Sequence, residues 1–105
     1  MDGLNLFWTA TAKRQRNYIF EYWNNRNKSK DYSQKLNLSI RERTKVLKLN
    51  PEMGKEFGYK DMRSISMGHY SILYKIATER IIITAFWDNR QDPKKLLDFL
   101  KTINH

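Results

Sequence analysis

The stretch Ile81-Ile82-Ile83-Thr84-Ala85-Phe86-Trp87-Asp88-Asn89-Arg90-Gln91-Asp92-Pro93-Lys94-Lys95-Leu96-Leu97 decides the fold. Its first seven residues are β-branched, small or aromatic, which reads as a central strand. Asp92 is placed to cap a short final helix, and Pro93 suits that helix's first turn. Between strand and helix the chain presents Asp88, Asn89, Arg90 and Gln91 at a strand end, where binding and chemistry often sit. An arginine held there can grip a phosphate or a carboxylate through two parallel hydrogen bonds. The plainer reading is a polar turn in which Arg90 pairs with Asp88 or Asp92.

Upstream of this strand, Tyr70, Ile72, Tyr74 and Ile76 alternate along one face of another, and Thr78-Glu79 turns the chain between the two. Gly68-His69 makes the preceding turn. Before it, Asp61, Arg63, Ile65 and Met67 alternate with Met62, Ser64 and Ser66. Three strands joined by tight turns form an antiparallel meander. The segment 52–58, with Gly54 and Gly58, reads as a loop.

At the amino end, Leu4-Asn5-Leu6-Phe7-Trp8 alternates as a short strand, and Thr9 or Thr11 can cap a helix after it. Ala12, Ile19 and Trp23 fall on one face of that helix, with Arg16 snorkelling at the core edge. The polar tract 24–28 ends it, and Ser29 is available to cap the next. Tyr32, Leu36, Ile40, Arg43 and Leu47 then keep helical spacing until Asn50-Pro51 stops the helix. In the last helix Leu96, Leu97, Leu100 and Ile103 can pack on the sheet.

The predicted order is β-α-α-β-β-β-α. An amino-terminal helical hairpin on a small, mostly antiparallel twisted sheet makes one α+β domain over residues 1–105. The opposite sheet face, with Arg63, Ser71, Lys75 and the tip around Arg90, is expected to stay partly open as a basic groove. A single bulge would invert which side chains reach it.

Composition narrows the function. Twenty Lys and Arg against 11 Asp and Glu give a formal charge of +9, a strong field for 105 residues. That balance favours nucleic acid, ribosomes, an acidic protein or anionic lipid. With no cysteine there is no disulfide or thiol chemistry, and with only His69 and His105 as imidazole ligands no structural zinc site is expected. No cofactor or metal is expected. The start Met1-Asp2-Gly3-Leu4 does not resemble a signal peptide, and no apolar run reaches membrane-spanning length. A cytoplasmic protein without membrane contact is the expectation.

These pieces together resemble the RelE/ParE superfamily of toxins from type II toxin–antitoxin modules. The matching segments are Trp8-Thr9 entering a helix with Ala12 and Ile19, Asn50-Pro51 with Gly54, Arg63-Ser64-Ile65, Gly68-His69-Tyr70-Ser71-Ile72-Leu73-Tyr74, and Asp88-Asn89-Arg90-Gln91-Asp92-Pro93. Their order and spacing span nearly the whole chain. The resemblance implies a helical hairpin on a small sheet. It also implies a toxin that arrests growth until a small, partly disordered antitoxin, usually encoded beside it, wraps it. RelE-like members cut mRNA in the ribosomal A site, whereas ParE-like members inhibit DNA gyrase by binding alone. A non-toxic basic RNA-binding module is a further alternative. The oligomeric state stays open.

The resemblance makes Arg90, Arg63, Asp88 and Tyr70 the candidate catalytic residues, and Lys60, Arg63, Lys75 and Arg90 the candidate nucleic-acid contacts. Metal-free RNA cleavage needs a base for the 2′-hydroxyl, a cation for the phosphate and an acid for the leaving oxygen. Asp88 or His69 could serve as base, Arg63 or Arg90 as clamp, and Tyr70 could position a base or a proton. RNA-cleaving relatives, however, carry an arginine where this chain has Ser71. They tend to carry lysines where it has Met62 and Ser64, and many have a histidine where it has Asp88. Arg90 matches their strand-end arginine. Whether the chain is an enzyme stays open at this point.

Overall fold

In this computed structural model residues 4–103 are described. Met1–Gly3, Asn104, His105 and the side chain of Ile103 lie outside the described residues, and with them the readings made on the amino terminus, His105 and the packing of Ile103. The elements are β1 (Asn5–Trp8), α1 (Ala10–Asn27), α2 (Asp31–Leu49), a 3-10 turn (Pro51–Met53), β2 (Lys55–Glu56), β3 (Arg63–Met67), β4 (Tyr70–Ala77), β5 (Arg80–Asp88) and α3 (Pro93–Ile103). They form the expected α+β arrangement with one added strand. Lys55 and Glu56 pair with Ser64 and Arg63 where a loop was expected. Two residues are too few for any periodicity to register. The sheet order is β1-β5-β4-β3-β2, all antiparallel except the parallel β1–β5 pair.

Local chemistry sets the helix ends. Thr9, rather than Thr11, caps α1, its side chain accepting from the Ala12 amide at 3.1 Å. Lys28 closes α1 in the left-handed region, and its amide donates to the Asn24 carbonyl. Ser29 acts from just outside α2, its hydroxyl accepting from the Asp31 amide at 3.1 Å. The Asp92 side chain accepts from the Lys94 amide at 3.0 Å, with Pro93 at the first position of α3.

The hairpin α1–α2 covers one sheet face. Ala12, Leu36, Ile40 and Leu47 meet Ile65, Tyr70, Ile72, Tyr74, Ile81, Ile83 and Phe86 there. The inner stripe of α2 differs from the expected one at two positions. Ser33 and Thr44 are buried, while Tyr32 and Arg43 are exposed. Small side chains let the helix approach closely, and their hydroxyls are satisfied locally. Ser33 donates to Asn24 Oδ1 at 2.6 Å, and Thr44 to the Arg41 carbonyl at 3.1 Å.

A bulge then divides β5. Leu73 pairs with Ala85 and Tyr74 with Ile83, leaving Thr84 without a partner in the register. Up to Ile83 the odd residues face the hairpin. Beyond Thr84 the even ones do, which brings Phe86 and Asp88 to that side and sends Ala85 and Trp87 to the other. Thr84 itself is buried, its hydroxyl donating to the Leu73 carbonyl at 3.3 Å.

The second face is not the open basic groove expected at its Ser71 end. Leu100 of α3 is fully buried against Met62, Leu73, Ala85 and Trp87, with Phe57, Tyr59, Leu96 and Phe99 packed around them. Phe99 stacks on Trp87 at 5.6 Å between centroids. Leu97, expected to pack, is instead 43% exposed. Amphipathic spacing placed α3 on the sheet but could not say which face it would take. No described helix is long and apolar enough to cross a membrane.

Candidate functional site

Two hydrogen bonds decide the state of the strand-end arginine. Arg90 Nε donates to Asp88 Oδ1 at 2.9 Å and Nη2 to Oδ2 at 2.8 Å, while the Arg90 backbone amide also donates to Oδ1 at 2.9 Å. The polar-turn reading therefore describes the geometry, with Asp88 as the partner. Hydrogen bonding from the Arg90 guanidinium holds the Asp88 carboxyl below its ordinary range, and the same contact raises Arg90 above its own. A carboxylate so engaged is a weak general base. Both side chains remain in contact with solvent, so the pair adds little stability.

Tyr70 sits directly across from Asp88 in the β4–β5 register. It is 2% exposed, stacks on Phe86 at 5.3 Å, and its hydroxyl accepts from Trp23 Nε1 at 2.9 Å. Its ring lies 5.8 Å from the Arg90 guanidinium carbon. The residue pins the end of α1 to the sheet and offers almost no surface to a ligand. Tyr32 lies at the same end, its phenol pushed up chiefly by burial and then by the neighbouring Tyr70.

Arg63 is on the hairpin side of the sheet, opposite Tyr74. It donates to the Gly54 carbonyl at 2.9 Å and the Glu52 carbonyl at 3.1 Å, with Glu56 3.8 Å away. Its charge ties the turn before β2 to β3. Ser71 points the other way, is buried against the second face, and donates to Asn89 Oδ1 at 2.8 Å. Lys75 shares Ser71's side but lies opposite Ile82, near the far end of the strand. Lys60 is on the exposed loop before β3 with its ammonium 5.7 Å from the Tyr59 ring. His69 is exposed in the β3–β4 turn, its carbonyl accepting from the Asn89 amide at 2.7 Å. Arg90, Asp88 and Tyr70 thus come together, whereas Arg63, Lys60 and Lys75 are dispersed over two faces. The shared basic groove expected from sequence is absent among the described residues, because strand alternation and α3 separate its members.

A different concavity is present. A cleft of about 640 Å3 opens between α1 and the second half of β5. Arg14, Tyr18, Tyr22 and Arg26 line one wall, and Phe86, Asp88 and Arg90 the other. Tyr18 is 69% and Tyr22 46% exposed. The four α1 residues recur at every fourth position, so they form one ridge along the helix. That spacing is legible in the sequence, but attention to the buried stripe of α1 passes over it.

The family model of the "ParE toxin of type II toxin-antitoxin system, parDE" matches residues 6–93, β1 through the first residue of α3. None of the curated proteins compared matches the chain. Among solved structures, a chain of the "Chromosomal ParDE TA system from P. aeruginosa" superposes with a TM-score of 0.71 over 84% of this chain and 98% of that one, at 17% identity. That likeness concerns the fold. With the family match covering most of its length, the chain belongs to the ParE toxin family and is the toxin component of a type II toxin–antitoxin system.

Proposed function

We propose that this toxin arrests growth by binding its target rather than by cutting RNA, and that the target is DNA gyrase, as the resemblance to ParE-like members implies. The carrying observation is the state of the residues a nuclease would need. Arg90 is engaged by Asp88, Arg63 by two backbone carbonyls, Tyr70 is buried, and Ser71 stands where RNA-cleaving relatives hold an arginine. Cleavage needs cation, base and acid around one phosphate, and here Arg90, Asp88 and Arg63 are already committed to partners within the chain while Tyr70 is buried. The reading includes action in the cytoplasm and neutralisation by a cognate antitoxin.

Two assays on the purified protein test it side by side. Incubated with gyrase, ATP and relaxed plasmid, it should suppress supercoiling and leave double-strand breaks. Added to a translating cell-free reaction, it should leave the 5′ ends of a defined mRNA unchanged. New 5′ ends confined to the translated message would overturn the proposal in favour of a ribosome-dependent endoribonuclease. Arg90→Ala and Arg63→Ala would then identify the clamp.

A further inference from the structure

Each helix of the hairpin has a flank that the sheet does not use. On α1 the ridge from Arg14 to Arg26 borders the cleft beside β5. The flank across the helix from it holds Lys13, Asn17, Phe20 and Asn24 at helical spacing. Asn24 fixes where that flank faces, since its side-chain oxygen accepts from Ser33 of α2 at 2.6 Å. On α2, Ser39, Arg43 and Val46 border Met67 and Gly68 at the end of β3. The flank across the helix from them, with Asn37, Arg41, Lys45 and Lys48, therefore borders α1. Counting back along the antiparallel pair from the Asn24–Ser33 contact brings Arg16 level with Arg41, and Lys13 level with Thr44 beside Lys45.

The seam between these flanks is basic. Lys13, Arg16, Arg41, Lys45 and Lys48 border it, and no position of either flank is Asp or Glu. Arg16 is half-buried, its guanidinium carbon 4.7 Å from the centre of the Trp8 ring and 5.9 Å from that of Phe20. Among the described residues its side chain makes one hydrogen bond, from Nε to Asn17 Oδ1 at 3.3 Å. Burial draws its pKa below the ordinary arginine value, as for any charge partly removed from water. Arg63 and Arg90 each have a carboxylate beside them, whereas none of Glu21, Asp31 and Glu42 makes an ion pair among the described residues. Cations gathered without acids repel one another, so the arrangement favours an anion supplied from outside.

The surroundings narrow the kind of anion. An acidic protein is held by aromatic and aliphatic anchors at the centre of the contact. A single-stranded nucleic acid needs free aromatic faces for its bases. The seam offers neither. Tyr18 and Tyr22 line the cleft, Tyr32 packs against Trp23 at 4.9 Å, and Trp8 and Phe20 lie against Arg16. It offers instead two rows of cations held on two helices. Arg41 to Lys48 spans about 10 Å at 1.5 Å of rise per residue, and the same length of duplex carries about six phosphate charges. Asn17 and Asn37 add neutral donors for phosphate oxygens.

We propose that the seam between α1 and α2 binds the phosphate backbone of duplex DNA, with Arg16, Arg41 and Lys45 as its central contacts. The choice of DNA over another duplex rests on the reading of gyrase as the target, and the phosphate contact itself does not. The toxin grips the DNA on which gyrase acts through charge and hydrogen bonds to phosphate, without reading bases. Lys60, Arg63, Lys75 and Arg90, on the sheet and its loops, take no part in it.

Fluorescence anisotropy of the purified chain with a labelled DNA duplex of mixed sequence tests this without gyrase. The logarithm of the association constant should fall with the logarithm of salt concentration at a slope of about −4, as four to five phosphate contacts require. Arg41→Gln/Lys45→Gln should weaken binding about 10- to 100-fold at low salt and make the slope shallower by about 1.8. The control Lys94→Gln/Lys101→Gln removes the same charge from α3 and should leave the slope within about 0.5 of wild type. All four side chains are exposed, so the fold tolerates both changes. Equal losses in the two variants, or a wild-type slope shallower than about −1, would overturn the seam assignment. Tighter binding of the matching single strand would also overturn it, and tighter binding of an RNA duplex of the same sequence would overturn the choice of DNA. Supercoiling by gyrase is assayed separately. Duplex binding without gyrase inhibition would defeat the gyrase reading and leave the phosphate seam standing, whereas inhibition without duplex binding would do the reverse.

Discussion

At the scale of single residues, two side chains show how little of a local environment is printed in the residue type. Tyr74 reads as one more inward aromatic of β4, and it is fully buried as expected. Its hydroxyl, however, donates to the Pro51 carbonyl at 2.7 Å and accepts from the Gly54 amide at 2.9 Å, closing the turn that leads to β2. Burial pushes the phenol above its usual range. Gly54 lies so close that any Cβ there would enter the Tyr74 ring. Tyr74→Phe would strand both backbone groups, so urea denaturation should show a loss of about 1–3 kcal/mol. Asp88 gives the opposite case. Its lowered carboxyl means that the folded protein binds this proton less readily than the unfolded chain. The stabilisation is complete above the unfolded carboxylate value, about pH 4, and is lost as pH falls through the lower folded one. Asp88→Asn should therefore lower the urea midpoint slightly at neutral pH, and the gap to wild type should close in acid. A gap that widens in acid would mean that Arg90 does not govern this carboxyl. The pairing of Arg90 with Asp88 was legible as one of two options in a short polar turn. The pinning role of Tyr70 was not, since its partner Trp23 lies 47 positions away in sequence.

At the scale of elements, hydrophobic period carried most of the fold. The long apolar run predicted β5, the alternation at Tyr70–Ile76 predicted β4, and Asp92-Pro93 predicted the start of α3. Faces were harder than elements. Thr84 offers no signal that distinguishes a bulge from regular strand, yet it decides that Phe86 and Asp88 look toward α1 and Trp87 toward α3. The expected groove fails for a simpler reason, since Arg63 shares the hairpin face with Ile65 and Tyr74 while Ser71 and Lys75 take the other. The depth of α3's attachment is likewise tertiary information. Its sequence shows an apolar stripe, but only Leu100 is fully buried among its described side chains. Leu100→Ala should cost about 2–5 kcal/mol, the range for a buried leucine that leaves a cavity, read as a lower urea midpoint. A cost below about 1 kcal/mol, the scale of ordinary surface changes, would mean that α3 is not needed to close the second face. This helix lies almost wholly beyond the segment matched by the family model, which ends at residue 93.

At the scale of the whole molecule, the surplus charge has an address. Residues 10–49, the hairpin, hold eleven lysines and arginines against three acidic residues, whereas residues 50–103 hold nine against seven. Only two ion pairs link described side chains, and neither involves the hairpin. The field of +9 therefore issues mainly from α1 and α2, the layer that carries the arginine–tyrosine ridge of the cleft. Composition alone announced a strong field but could not locate it, because the location depends on which layer of the sandwich the basic segments become. A field of this kind acts during approach more than in the final contact. Association with an acidic partner should slow markedly with salt, since screening shortens the reach of the hairpin from about 10 Å at 0.1 M to a few ångströms near 1 M. Stopped-flow measurement with the antitoxin should show the association rate falling about tenfold between 0.05 and 0.5 M salt, with a much smaller change in dissociation. Reversing hairpin charges remote from the cleft, as in Lys35→Glu/Lys45→Glu, should slow association and leave dissociation nearly unaltered. A salt effect confined to dissociation would assign the charge to bonds made inside the complex, and the hairpin would then act as a contact surface and not as a steering field.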